Sequence, residues 1–159
     1  MPRLTVHRKR LYSKQQRGEP VHAGTFIRKR DIVLDSELRA QPGELARILV
    51  HELFHFAWVR LSNQTRRSYE QLIRREFTAR ARGELGWSSE WRKRALLRPP
   101  NRSGPDAKWR EYLCESFCDT AAWLYAGIGS HQEFTLARRH RERRAKWFRA
   151  AYRESGIPI

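Results

Sequence analysis

The chain has 159 residues, with 33 lysines and arginines against 17 aspartates and glutamates, for a formal net charge of +16. Apolar residues make up 40% of it and tryptophan occurs six times, which excludes disorder by composition and leaves enough apolar surface for one domain to bury a core. Two cysteines, Cys114 and Cys118, exclude the disulfide framework of small secreted domains. The charge favours nucleic acid, an anionic membrane or an acidic protein as partner, although a solvated basic face is the plainer account of the same arginines.

In chain order, the opening MPRLTVHRKRLY lacks the apolar core of a signal peptide. No apolar run reaches the roughly 20 residues that span a bilayer, so a cytoplasmic chain with no membrane span is expected, one domain over 1–159. Residues 3–12 and 21–35 read as strands around the loop SKQQRGEP, giving a β-rich part (1–40) built as a hairpin or small sheet. QPGE then opens a helix expected over 41–62, with Pro42 in its first turn and Glu44 complementing the dipole. A second helix is predicted over 65–84 on Tyr69, Leu72, Ile73, Phe77 and Ala81, ended by Gly83 and Gly86. Ser88 is expected to cap a short helix through Leu97, and RPPNRSGPD (98–106) reads as a linker, so that 63–107 is a basic helical insertion. A helix from Lys108 to Ala126 follows, within a segment 108–127 stopped by GIGS. A last helix over 131–154, in a basic segment 131–155, carries a narrow apolar stripe of Phe134, Ala137, Ala145, Phe148 and Tyr152. The fold class expected is α+β, mainly helical.

The stretch LARILVHELFHFAWVRL sets His51 and His55 four apart with Glu52 directly after the first. On a helix, residues four apart lie about 40° apart, so both imidazoles project from one face and can converge on one tetrahedral metal ion. Glu52 lies about 100° round from His51, too far to be a natural third ligand and well placed to take a proton from metal-bound water. Apolar residues surround this helix, and burying two histidines and a glutamate inside it is costly unless a metal or partners satisfy them.

A catalytic zinc takes a third protein ligand. The extended pattern H-E-x-x-H-x-x-G-x-x-H fails, since Trp58 stands at the glycine position and the next histidine is His131. The stretch EYLCESFCDTAAW offers Glu115 and Asp119, four apart on one face, with Leu113 and Phe117 opposite. Glu115 as ligand leaves Asp119, one turn on, to bond the outward nitrogen of a metal histidine. Glu111 is the alternative ligand, although pairing with surface arginines accounts for it more plainly. The C-x-x-x-C spacing of Cys114 and Cys118 is not that of a zinc knuckle, and both are expected to be reduced, packed thiols flanking the site.

His51-Glu52-x-x-His55 followed on a later helix by Glu115-x-x-x-Asp119 resembles the gluzincin metallopeptidases. With strands ahead of the motif helix, the chain is similar to the minimal gluzincins and the ImmA/IrrE-like domains over roughly residues 20–60 and 108–126. The resemblance implies a zincin-like core with a buried motif helix and one Zn2+ per chain held by His51, His55 and Glu115. It also implies hydrolysis of a protein or peptide substrate through a zinc-bound water, with Glu52 as general base. Tyr125, Tyr112 and His131 are candidate oxyanion donors by position, though a core tyrosine is the plainer account of Tyr125. An extended substrate is expected along AGTFIRKRDIV, placing Thr25, Phe26, Ile27 and Arg28 on its binding edge. Arg28, Lys29 and Arg30 then suggest an acidic stretch in the substrate, or they guard an exposed strand edge.

Two other readings stay open. The helix RRHRERRAKWFRAAYR mixes arginines with Trp147, Phe148 and Tyr152, as a nucleic-acid-associated protein or DNA-linked protease does for backbone contacts and stacking. SprT-like peptidases join H-E-x-x-H to DNA, but with a third histidine soon after the motif, which this chain lacks. A non-catalytic zinc-binding regulator is the other reading. Glu52 argues against it, because metal binding does not require that residue.

Overall fold

A computed structural model describes residues 1–7, 11–12, 20–97, 105–153 and 156, and shows an α+β architecture. The strands are β1 (Arg3–His7), β2 (Leu11–Tyr12), β3 (Pro20–Val21), β4 (Ala23–Phe26) and β5 (Asp31–Asp35). The helices are α1 (Pro42–Arg60), α2 (Asn63–Thr78), α3 (Trp87–Leu96), α4 (Pro105–Tyr125) and α5 (Arg138–Ala151). The three-stranded sheet has the order β1-β5-β4, with β1 parallel and β4 antiparallel to the central β5, while β2 and β3 pair separately. No helix among the described residues is long and apolar enough to cross a membrane.

The single strand expected over 21–35 is instead a hairpin. A 3-10 turn at Ile27–Lys29 and a left-handed Arg30 (φ 51°) fold β5 back onto β4, pairing Phe26 with Asp31. The run IRKRD carries no glycine, proline or asparagine to mark such a turn, so its alternation reads as continuous. Ile27 and Arg28 therefore lie off the strand edge, on which only Thr25 and Phe26 remain. The loop expected at 13–20 falls almost wholly outside the described residues.

Helix α1 starts with Pro42 at its first position and is apolar nearly all round because both flanks are covered. Ile48 and Phe56 pack with Ile32, Leu34 and Leu38 on the sheet side. Phe54 and Ala57 pack with Tyr69, Ile73, Phe117 and Phe148 from α2, α4 and α5. Phe56, eight positions after Ile48 and so about 80° round the helix from it, joins the same cluster.

Three helix boundaries shift. Helix α2, capped by the Ser62 side chain on Thr65 N (3.1 Å), ends at Thr78 rather than 84. Beyond it Arg80 and Gly83 take positive φ, and a Cβ on Gly83 would stand 2.5 Å from Thr135 O. Residues 131–137, expected to be helical, instead cross this segment, Glu84 O accepting from the Thr135 and Leu136 amides. Phe134 accordingly packs with Ala81, Leu85 and Leu136, and the helix proper begins at Arg138. Helix α4 begins at Pro105, inside the expected linker, whose residues 98–104 lie outside the described ones.

Behind α4, Arg144 is fully buried and pairs with Glu76 (2.6 Å) and Glu84 (2.8 Å). Lys93 also reaches Glu84 (3.0 Å), so one ionic cluster joins α2, the 79–86 connection, α3 and α5. Such a cluster is favourable only while every charge keeps its partner.

Candidate metal centre

The centre forms where α1 crosses α4, with α3 closing one side and β4 the other. His51, His55 and Glu52 come from consecutive turns of α1; Cys114, Glu115, Cys118 and Asp119 come from α4. The outward nitrogen of His51, Nδ1, donates to Asp119 Oδ1 at 2.7 Å, which points Nε2 at Glu115 Oε2, 3.3 Å away. A tetrahedral ion with bonds of about 2.0–2.1 Å holds its donors about 3.3 Å apart, so this pair already has the spacing of one edge of a metal tetrahedron. His55 turns Nδ1 to Cys114 Sγ at 3.4 Å, leaving Nε2 as its free nitrogen, and the two imidazole centroids are 5.0 Å apart. The other oxygen of Glu115 is held by Arg92 at 3.2 Å.

The donor atoms that cluster most closely are those of His51, His55 and Cys118, all within 4.8 Å of one another. This differs from the expected set, in which Glu115 is the third donor and Cys118 only a packed thiol. Glu115 also pairs with Arg92, while Cys118, fully buried one turn from Cys114, brings its sulfur within 4.8 Å of a nitrogen of each histidine. The two candidates differ in readiness. Burial raises the Glu115 carboxyl, but its bond to His51 and the charges of His55, His51 and Arg92 outweigh this and hold it at about 2. Burial pushes the Cys118 thiol well above its ordinary range, reinforced by its bond to Cys114. The carboxylate is thus ionised and next to His51, whereas the thiol must still lose a proton in an apolar setting. Glu111 is exposed, which removes it as the alternative ligand.

Asp119 is 2% exposed and does two jobs. While Oδ1 accepts from His51 Nδ1–H, Oδ2 accepts from the backbone N–H of Ser89 at 2.9 Å in the first turn of α3. The carboxylate thereby caps α3 from outside, and the residue at the N-cap is Gly86, not the expected Ser88. Gly86 has extended backbone (φ −176°), so freedom of φ is not why glycine stands there. A Cβ on it would lie 2.2 Å from Asp119 Cγ.

A cleft of about 220 Å³ opens on His51, Glu52 and Asp119, with His22 and Ala23 on the β4 side and Trp87 on the α3 side. Glu52 Oε2 accepts from the Thr25 hydroxyl at 2.5 Å, and the same hydroxyl lies 3.2 Å from the Glu52 carbonyl oxygen. Thr25, expected to contact substrate, therefore fixes Glu52.

The three candidate oxyanion donors do not reach the site. Tyr112 is 1% exposed and donates to Glu84 in the ionic cluster behind α4. Tyr125 stacks on Phe54 at 5.5 Å, on the core side of α1. His131 is held by Glu44 and by the Glu133 amide, beside Arg47, which pairs with Glu44 and Glu133 at the margin of the cleft. Their places after the third-ligand position put them on other faces. Gly86, Ser89 and Arg92 complete the site unforeseen, since α3 meets α4 only in the folded chain. Gly86 carried a signal, but one that reads as a helix stop.

Comparison with protein-family models, with curated proteins and with solved structures finds no match to this chain, so the geometry of the site is what carries a functional reading.

Proposed function

We propose that the chain is a zinc-dependent metallopeptidase of the gluzincin type, acting on a protein or peptide substrate, with α1 and α4 as its zincin-like core. The observation that carries this is the pair of contacts on one imidazole: His51 Nε2 at metal-edge distance from Glu115 and Nδ1 locked by Asp119. The donors His51, His55 and Glu115 suit one Zn2+ per chain with a coordination position open to the cleft. When bound, zinc acidifies a water molecule and polarises the scissile carbonyl.

The rest is done by the chain. Glu52, at the cleft wall, accepts the proton of the attacking water and delivers it to the leaving amine. The Thr25 hydroxyl occupies Oε2 and leaves Oε1 to carry that proton. Strand β4 is an edge of its sheet, so an extended substrate adding to it passes beside Glu52.

The test is metal analysis and cobalt substitution of the purified chain and of Glu52→Gln. The reading expects one zinc per chain in both, no sulfur-to-cobalt charge-transfer band, and peptide hydrolysis reduced by about 10²-fold or more in Glu52→Gln. A strong charge-transfer band assigns the third position to Cys118 and overturns the glutamate set. Zinc bound without hydrolysis of any peptide-library member by the parent overturns the peptidase reading.

A further inference from the structure

We propose that the outer face of α5 binds the phosphate backbone of duplex nucleic acid without regard to sequence, separately from the metal centre and independently of the peptidase reading. The inner face of α5 is fixed: His140, Arg144, Ala145 and Phe148 are buried, and Arg144 is tied to Glu76 and Glu84. That anchoring turns Arg139, Arg143 and Lys146, spaced four and three apart, outward as one stripe, continued by Arg153 just past the helix end. Ser68 and Glu76 of α2 meet Trp147 and Arg144 of α5 in antiparallel order, which leaves exposed Arg75 of α2 on the border of the stripe.

Among the described residues no carboxylate pairs with any of these five cations. The one acid of α5, Glu142, is taken by Arg138 at 2.7 Å. At 1.5 Å per residue the stripe from Arg139 to Arg153 is about 20 Å long, the span of several successive phosphates on one duplex strand.

The choice of partner follows from what the face lacks. The aromatics that made this helix look like a stacking platform are turned inward: Trp147 donates to Ser68 (3.0 Å) and lies 4.8 Å from the Tyr69 ring, while Phe148 is fully buried. Tyr152 leans on Phe148 (5.9 Å), so all three rings are engaged by neighbours and none stands clear of the helix as a stacking platform, which disfavours single strands. A membrane-surface helix needs apolar residues to insert, and an acidic protein partner needs an aromatic or apolar anchor; the outward stripe offers only Ala150. Arginine-rich charge without apolar anchors fits phosphate recognition. None of these residues lines the cleft, so bound nucleic acid leaves it open.

The test is fluorescence anisotropy of the full chain with a labelled mixed-sequence DNA duplex across a salt series. With about four phosphates neutralised, log K should fall against log salt with a slope of about −3 to −4. The triple variant Arg139→Glu/Arg143→Glu/Lys146→Glu should bind at least about 30-fold more weakly at low salt, with a slope near −1. The milder pair Arg143→Gln/Lys146→Gln, which keeps long helix-forming side chains at exposed positions and so preserves α5, should reduce the slope by about 2. Glu52→Gln and zinc removal should leave binding unchanged, so failure of the metal reading does not touch this one. Absent or salt-independent binding overturns the proposal, as does an unaltered slope in the pair. So does tighter binding to single-stranded DNA or to anionic phospholipid vesicles.

Discussion

Gly86→Ala is the most revealing single substitution, because one methyl group tests the linkage between His51, a ligand of the proposed metal site, and the fold. The added Cβ would lie 2.2 Å from Asp119 Cγ and 2.3 and 2.5 Å from its two oxygens, so either the carboxylate or the α3 terminus must move. Displacing Asp119 breaks its bond to Ser89 N (2.9 Å), a side-chain cap worth about 0.5–2 kcal/mol, and leaves Glu133 on Trp87 N (2.7 Å) to hold that helix end. It also breaks the bond to His51 Nδ1 (2.7 Å), a charge-assisted contact worth about 1.5–3 kcal/mol. The residual crowding in a packed site adds to these, and a total near 3–5 kcal/mol is expected, a large part of a typical domain's 5–15 kcal/mol. Because His51 loses its fixed orientation, zinc affinity should fall about 10–100-fold in the same protein. Urea denaturation and competition with a chromophoric chelator measure the two effects. Gly129→Ala is the control, since a Cβ there meets nothing within 4 Å, and it should change neither quantity appreciably. A Gly86→Ala protein within about 1 kcal/mol of the parent that also keeps its zinc affinity would show that Asp119 does not join His51 to the α3 terminus.

Arg144→Met should destabilise the chain by about 3–5 kcal/mol, because it leaves Glu76 and Glu84 buried without their guanidinium; denaturant unfolding measures it. The same cluster predicts acid sensitivity. Burial raises the Glu84 carboxyl, but Arg144 and Lys93 outweigh this and leave it below the ordinary value of 4.5. The unfolded chain therefore takes up the proton first: this stabilisation is full above about pH 4.5 and is lost as pH falls through the lower folded value. Stability measured from pH 6 to 3 should fall less steeply in Glu84→Gln than in the parent, and equal slopes would contradict the assignment. Thr25→Val, which removes the hydroxyl on Glu52 Oε2, should lower kcat about 10-fold with zinc content unchanged. Loss of zinc instead would make Thr25 part of the scaffold of the centre.

The local content of the fold was legible in the residues. Pro42 set the start of α1, and the all-round apolar pattern of that helix announced that both its flanks are covered. The four-residue spacings of His51 with His55 and of Glu115 with Asp119 place side chains on one face wherever those helices lie, because that depends only on helical geometry. The hairpin turn at Ile27–Lys29 was not legible, because its residues have no turn chemistry and the left-handed Arg30 is held by the pairing it creates. Nor was the non-helical course of 131–137, in which the Thr135 and Leu136 amides are claimed by the Glu84 carbonyl, a partner some fifty positions away.

Helical spacing along the chain thus sets which residues each helix presents together. Which helix each set faces is settled by packing between elements distant in the chain. Asp119 reaches His51 because α4 crosses α1, and it caps α3 because Gly86 leaves the space for its carboxylate. Tyr112, Tyr125 and His131 stand in plausible positions along the chain, yet packing turns each to another partner. Trp147 and Phe148 go inward while Arg139, Arg143 and Lys146 go outward because a buried Arg144 fixes the rotation of α5. Periodicity fixes relative angles on one helix, whereas the angle between helices is set by burial and by the pairing of buried charges, which involve residues far apart in the chain.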